Sequence, residues 1–318
     1  MRTHTQHSSD QFPAMVDPAV IMRIKDLQLR AKTVVEGFYN GLHRSPYHGF
    51  SVEFSEYRPY TLGDDPRHVD WKLRARTDRL YIKRFEDETN RRAHLVVDLS
   101  QSMNYGSLAY PKIEYARTLA ATLAYYLTLQ RDNVGLFTFD DAVIDYLPAR
   151  FRHGHFRRLL MCLERPTQGR ATDLIGPLDQ VASLLKKRGL VLIISDLLAP
   201  VEALRTRFGY LRSRGHEVLL WRVLDPAEIE FPFGNAAMFH DMESRREFYV
   251  DPATARTEYQ RKFRDHDTRV QMICGQLGID YRILSTNQPL ELALFELLSV
   301  QCKRGKRIHR VRQYRGAS

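Results

Sequence analysis

Ala93-His94-Leu95-Val96-Val97-Asp98-Leu99-Ser100-Gln101-Ser102 decides the fold of this chain. A largely apolar run ends abruptly in one carboxylate and two hydroxyls. A strand apolar on both faces belongs inside a parallel sheet that helices cover on both sides. Its tip then presents Asp98, Ser100 and Ser102 together. The pattern Asp-x-Ser-x-Ser offers short oxygen ligands on a tight turn with room for water, as a hard divalent cation needs. Asp and Ser are also ordinary turn and cap residues. The motif therefore gains weight only if further oxygen ligands stand at the tips of later strands.

From residue 93 onward, strands and helices alternate. A helix opens near Pro111, a favoured first-turn residue, with Ile113, Ala116, Ala120, Leu123 and Leu127 forming a stripe at helical spacing. Strands over 134–139 and 142–147 and a helix near 154–164 follow. A loop with Gly169-Arg170-Ala171-Thr172-Asp173 leads to a helix over 174–187. The apolar strand over 190–194 ends in Ser195-Asp196. A helix over 201–214 stops at Gly215, a good C-terminal cap. Strands over 217–223, 248–250 and 280–284, and helices over 252–277 and 289–300, complete the pattern. The expectation is an α/β, doubly wound, mainly parallel sheet flanked by helices.

The domain plan has four parts. Residues 1–17 read as a flexible lead, with Met15 an alternative start. Residues 18–92 hold an amphipathic helix over 18–36 and a turn-rich, charged and aromatic extension packing on the main domain. Residues 93–300 form that domain, and 301–318 a basic tail.

Composition narrows the class. With 318 residues, 43% hydrophobic and 27% charged, the chain has an ordinary globular make-up. Cys162, Cys274 and Cys302 are far apart with no Cys-x-x-Cys pair, which argues against a zinc site or disulfide framework and fits a reducing cytoplasm. The N-terminus has no apolar signal core. Leu119–Leu129, the longest apolar stretch, is too short to span a bilayer.

The net charge of +10 is mostly local. Residues 303–318 carry seven Lys/Arg and no Asp/Glu; 48 less 7 leaves 41 basic against 38 acidic residues. Nucleic acid or an anionic surface thus remains an alternative partner for the tail, and nucleic acid for the Arg-rich stretches 150–158 and 261–269. In the stretch 261–269, interleaved acids make a solvated mixed face the default. His153-x-His155 has no third metal ligand near it in sequence.

In open α/β sheets, ligands bind beyond the carboxyl ends of the strands where strand order reverses. Asp98-x-Ser100-x-Ser102, Thr172-Asp173 and Ser195-Asp196 are placed to meet there. They supply oxygen donors only, which suits Mg²⁺, Mn²⁺ or Ca²⁺ rather than Zn²⁺. Singly, Ser100 or Ser102 reads as a cap, Thr172 as the cap of the next helix, and Asp196 as a strand end. Their joint occurrence, in order and at strand tips, favours a site.

Asp98-Leu99-Ser100-Gln101-Ser102, Thr172-Asp173 and Ile194-Ser195-Asp196 resemble the metal-ion-dependent adhesion site of von Willebrand factor A domains. More narrowly, the block Glu56-Tyr57-Arg58-Pro59-Tyr60, Gly63-Asp64-Asp65-Pro66-Arg67, Val69-Asp70-Trp71 and Arg79–Glu86 is similar to the hallmark of the domain of unknown function 58 family. That is a bacterial group often encoded beside MoxR-type AAA+ ATPases. The resemblance implies that Ser100, Ser102 and Thr172 coordinate the cation directly, and that Asp98 and Asp196 hold it mainly through water. A partner's Asp or Glu would complete the shell. It thus implies a protein-binding adaptor working with a MoxR-type ATPase, and no catalysis. Asp173, Tyr105, Asp64 and Asp65 are weaker candidates for supporting or docking roles.

The rival is a metal-dependent phosphatase or hydrolase with Asp98 as nucleophile. In acyl-phosphate chemistry of the Asp-x-Asp-x-Thr kind, the second carboxylate is the general acid. Ser100 stands in that position here and is a poor proton donor at neutral pH. Gly-x-Ser-x-Gly, Gly-x-x-x-x-Gly-Lys-Ser/Thr and His-Glu-x-x-His are all missing from the sequence, which takes the chain itself out of the ATPase class.

Overall fold

Along Arg92–Asp98 alternate side chains point to opposite faces, and both faces are buried. The computed structural model describes residues 15–44, 56–60, 69, 74, 80–84, 91–166, 173–234, 237–240 and 247–301. In chain order, helices Pro18–Met22 (α1) and Leu27–Arg44 (α2) precede an antiparallel ribbon of Glu56–Pro59 (β1) and Tyr81–Arg84 (β2). Then come Arg92–Asp98 (β3), Lys112–Leu129 (α3), Asn133–Phe139 (β4), Val143–Arg150 (β5) and His155–Leu163 (α4). Ile175–Leu184 (α5), Leu190–Ser195 (β6), Val201–Ser213 (α6), Glu217–Leu224 (β7) and Pro226–Glu230 (α7) follow. A second ribbon of Ala237–His240 (β8) and Glu247–Val250 (β9) leads to Pro252–Leu277 (α8), Asp280–Ser285 (β10) and a helix over 291–301 (α9).

The main sheet has the order β10-β7-β6-β3-β4-β5. All its pairs are parallel except β4–β5, which a tight turn at Asp140–Ala142 joins as a hairpin. The expected doubly wound, mainly parallel sheet is therefore present. Its strand order reverses between β3 and β6: the chain leaves β3 toward β4 on one side and returns to β6 on the other.

Two apolar layers cover the sheet. Leu95 and Val97, with Leu192, Ile194, Leu219 and Trp221, pack under α1, α2, α3, α4 and α9. Val96, with Phe137, Ile193 and Leu220, packs under α5, α6 and α8. The second core residue on each strand falls to the other layer, as a period of two demands.

The helix expected over 18–36 is two helices. Asp17 caps α1, whose first residue is Pro18, and the Asp26 side chain accepts the Leu29 N–H to start a new helix. Buried Arg30 then ties α2 to α3 through Glu114 at 2.8 Å. The two ends of the described chain meet in the first layer. The Val16 N–H donates to Glu291 Oε1 of α9 at 3.2 Å, and the Phe38 and Phe295 rings meet edge-on at 4.8 Å. Among the described residues no helix is long and apolar enough to cross a membrane. The first fourteen residues, the tail beyond Gln301, and Asp64, Asp65, Trp71 and Thr172 lie outside the described residues.

Candidate metal centre

Parallel register carries β3 and β6 side by side to their tips, with Val97 opposite Ile194. The next residues, Asp98 on one strand and Ser195-Asp196 on the other, therefore emerge together at the crevice where the strand order reverses. Asp98, Ser100, Ser195 and Asp196 are all buried.

Asp98 is held from both sides. Its Oδ1 accepts the Ser100 N–H at 2.9 Å, and its Oδ2 accepts the Ser195 hydroxyl at 2.5 Å. The Ser195 Oγ in turn accepts the Leu197 N–H at 3.0 Å, which fixes the turn after β6. Burial and the charge of Asp196 push the Asp98 carboxyl up to about 7, against the pull of the serine hydrogen bonds. Ser100 and Ser102 flank the start of a short 3₁₀ turn, Gln101–Asn104, and their hydroxyl oxygens lie 3.1 Å apart.

Asp196 is not a free ligand. Its Oδ2 accepts from Lys112 Nζ at 2.9 Å, and its Oδ1 takes the Leu198 N–H at 3.3 Å. Lys112, the first residue of α3, has a fully buried side chain. It also reaches Glu228 Oε1 at 2.6 Å. Burial opposes its ammonium, but the carboxylates of Asp196 and Glu228 outweigh that and raise its pKa. Burial holds the Glu228 carboxyl above its ordinary range although Lys112 pulls the other way.

The network continues outward. Glu228 Oε2 accepts the Asp225 N–H at 2.8 Å, while the Asp225 side chain takes the Ala227 N–H, a capping box that starts α7. Asp225 also accepts the Ser107 N–H at 2.9 Å and the Ser107 hydroxyl at 2.5 Å, so the loop after the serine turn is tied to α7. Arg222 donates to the Asp196 carbonyl at 2.9 Å from β7. The site is thus a buried carboxylate pair, three serine hydroxyls and one internal ammonium, rimmed by exposed Leu198 and residues 106–109.

Of the residues singled out in the sequence, Asp98, Ser100, Ser102 and Asp196 come together. Tyr105 stands at the end of the serine turn with its ring centre 6.0 Å from Lys112 Nζ. Asp173 is exposed and caps α5, accepting the Ile175 and Gly176 N–H groups at 2.8 and 3.2 Å. His155 is buried with its Nε2 2.7 Å from the Val134 carbonyl, a packing role.

Sequence reasoning missed Lys112, Glu228, Asp225 and Arg222. Three of these had a signal. A lysine in the first turn of a helix opposes the helix dipole and needs acids to answer it. Asp225-Pro226-Ala227-Glu228 has the spacing of a capping box.

Residues 56–269 match the family described as protein of unknown function DUF58. The chain is 30% identical over 277 residues to the uncharacterized protein Rv1480 of Mycobacterium tuberculosis, with 86% of each chain covered. Among solved structures it is similar to the conserved hypothetical protein BatB from Bacteroides thetaiotaomicron. There the identity is 17% and the TM-score 0.45, over 67% of this chain and 99% of that one. It is also similar to the SpRpn10 VWA domain, at 13% identity and a TM-score of 0.41, over 63% of this chain and 92% of that one.

Proposed function

The chain belongs to the DUF58 family, whose description assigns no activity, and from the chemistry of its site we propose a divalent-cation-dependent protein-binding adaptor. The observation that carries this reading is the pair Asp98 and Asp196 at neighbouring strand tips, beside two buried hydroxyls 3.1 Å apart. A donor set of carboxylates and hydroxyls suits Mg²⁺, with Mn²⁺ and Ca²⁺ as alternatives. The charge balance fits as well. One ammonium answers Asp196 and Glu228, whereas among the described residues Asp98 is met by neutral hydrogen-bond donors, and burial and the charge of Asp196 work against its ionised form.

Ser100, Ser102 and Thr172 would hold the ion through hydroxyls, and Asp98 and Asp196 through water. Bound there, the ion supplies a coordination position for an acidic side chain of a protein partner. A MoxR-type AAA+ ATPase or its client is the partner class we propose, in the assembly, maturation or activation of a complex. A cytoplasmic site of action belongs to the same proposal, since widely spaced cysteines suit a reducing compartment.

A hydrolase reading is the weaker one. Both Asp98 oxygens are committed to hydrogen bonds inside the protein, and the side chain is buried, which is poor ground for a nucleophile. Calorimetric titration of Mg²⁺ and Mn²⁺ into the full chain tests the proposal, followed by capture of the MoxR-type ATPase of the same host with and without chelator. Ser100→Ala should abolish both cation binding and chelator-sensitive capture while the thermal melt stays cooperative. Undiminished capture in chelator would sink the metal-bridged reading. Turnover of a phosphate ester that disappears in Asp98→Asn would transfer the site to hydrolysis.

A further inference from the structure

We propose that the amino end of the main sheet, opposite the candidate metal centre, is a docking surface for an anionic membrane. The strand register brings its cations into one row. Arg150 closes β5 opposite Val134, next to Asn133, which pairs with Arg92 at the start of β3. Gly189 packs against the Arg92 backbone, and just before it Lys186 and Lys187 sit on the loop into β6. Three strand spacings of about 4.8 Å separate β5 from β6, so the row runs on the order of 15 Å. Arg152 and Arg157 extend it at the turn into α4, whose buried His155 is anchored to the same end by the Val134 carbonyl.

These six cations are exposed and make no ion pair among the described residues. The carboxylates described at this end are few. Asp132 is buried against the Arg91 N–H, Glu217 is half-buried, and Asp280 is at the far edge strand. A surface of this kind, left without internal counter-charges, fits a polyanion.

Apolar tips among the cations select the class of polyanion. Phe151, between Arg150 and Arg152, is 48% exposed; Leu129 at the end of α3 is 49% and Leu184 at the end of α5 is 39%. Aliphatic side chains gain nothing at a phosphate backbone, and single-stranded nucleic acid rewards a row of open aromatic faces; among the described residues Tyr210 is covered by Arg214 and Phe156 pairs with Tyr125, so no such row forms beside Phe151. At a bilayer interface the same tips enter the acyl boundary while the guanidinium groups meet lipid phosphates. The carboxylates of the opposite end then face away from the negative surface.

Flotation of the full chain with phosphatidylglycerol-containing vesicles, against vesicles of pure phosphatidylcholine, tests this. The wild type should float with the anionic vesicles only, and less as salt rises. The triple variant Arg150→Glu/Arg152→Glu/Arg157→Glu should lose on the order of 100-fold in partitioning, at about fivefold or more per cation. Phe151→Ser should lose roughly tenfold, the worth of one buried aromatic side chain. Both variants change exposed side chains, and circular dichroism checks that they fold. No flotation of the wild type would overturn the proposal, as would undiminished flotation of the triple variant. So would a loss seen only when the seven cations of residues 303–318 are neutralised. If the triple variant instead loses binding to an RNA oligonucleotide while the wild type ignores the vesicles, the surface belongs to nucleic acid.

Discussion

The two ends of the main sheet handle charge in opposite ways. At the carboxyl end, Asp98, Asp196, Lys112 and Asp225 are buried, and each is answered by a hydroxyl, an ammonium, a carboxylate or a backbone N–H. At the amino end, Arg92, Arg150, Arg152 and Arg157 stand in solvent and make no ion pair among the described residues. Buried charge has to be satisfied inside the protein, because desolvation makes a lone ion costly. Exposed charge needs no internal partner and stays available to something outside. One sheet thus carries a self-contained network at one end and an open electrostatic surface at the other.

The sharpest way to break this contrast is Lys112→Met. It leaves Asp196 and Glu228 facing each other without their cation, and should cost about 3–5 kcal/mol in denaturant unfolding. A loss under about 1 kcal/mol would mean that the carboxyl-end network does not hold itself together. Next in size, Asp225→Ala removes the cap of α7 and the tie to Ser107, and should cost about 1–2 kcal/mol. Amide exchange in residues 105–110 should quicken in the same variant; unchanged protection there would show that the tie is not what holds the loop.

Among the described residues the amino end has one buried acid, Asp132, and it has no ammonium to answer it. Burial raises the Asp132 carboxyl to about 6, against the opposing pull of Arg91. The folded pKa lies above the unfolded one, so stability is full below the unfolded value and is lost as pH rises through about 6. Asp132→Asn should therefore be more stable than wild type at pH 8 by about 1 kcal/mol, with the difference vanishing near pH 4. A denaturant midpoint difference that is flat with pH would refute the assignment. Smallest of all, Arg150→Glu with Arg152→Glu should leave the unfolding midpoint unchanged, since neither residue answers an internal acid. A measurable drop would reveal a structural role and erase the contrast.

Most of the sheet was legible because its signals are local. Apolar runs such as Val191–Ile194, helical stripes such as that of α3, and Gly215, with a φ of +80°, mark elements within a few residues of themselves. Asp98, Ser100, Ser102 and Asp196 were legible for the same reason, as polar residues directly after apolar strands. What stayed hidden is what sequence spacing cannot encode. Lys112 meets Asp196 across 84 residues and Glu228 across 116. The strand β8 is only four residues, too short for its apolar pattern to separate strand from helix, and its pairing with β9 makes it a strand. The break between α1 and α2 was hidden because the hydrophobic spacing continues across it, while α1 ends at Arg23 and the Asp26 cap starts a second helix.

The meeting of Val16 with Glu291 and of Phe38 with Phe295 joins positions separated by more than 250 residues. Synthesis runs from the amino terminus, so α2 leaves the ribosome long before α9 exists. Until α9 arrives, the stripe that buries Val34, Val35 and Phe38 lacks one of its covering helices. The first layer can thus close only in part when α2 meets α3, and the apolar surface that α9 covers stays open until residues 291–301 are made, a natural grip for chaperones.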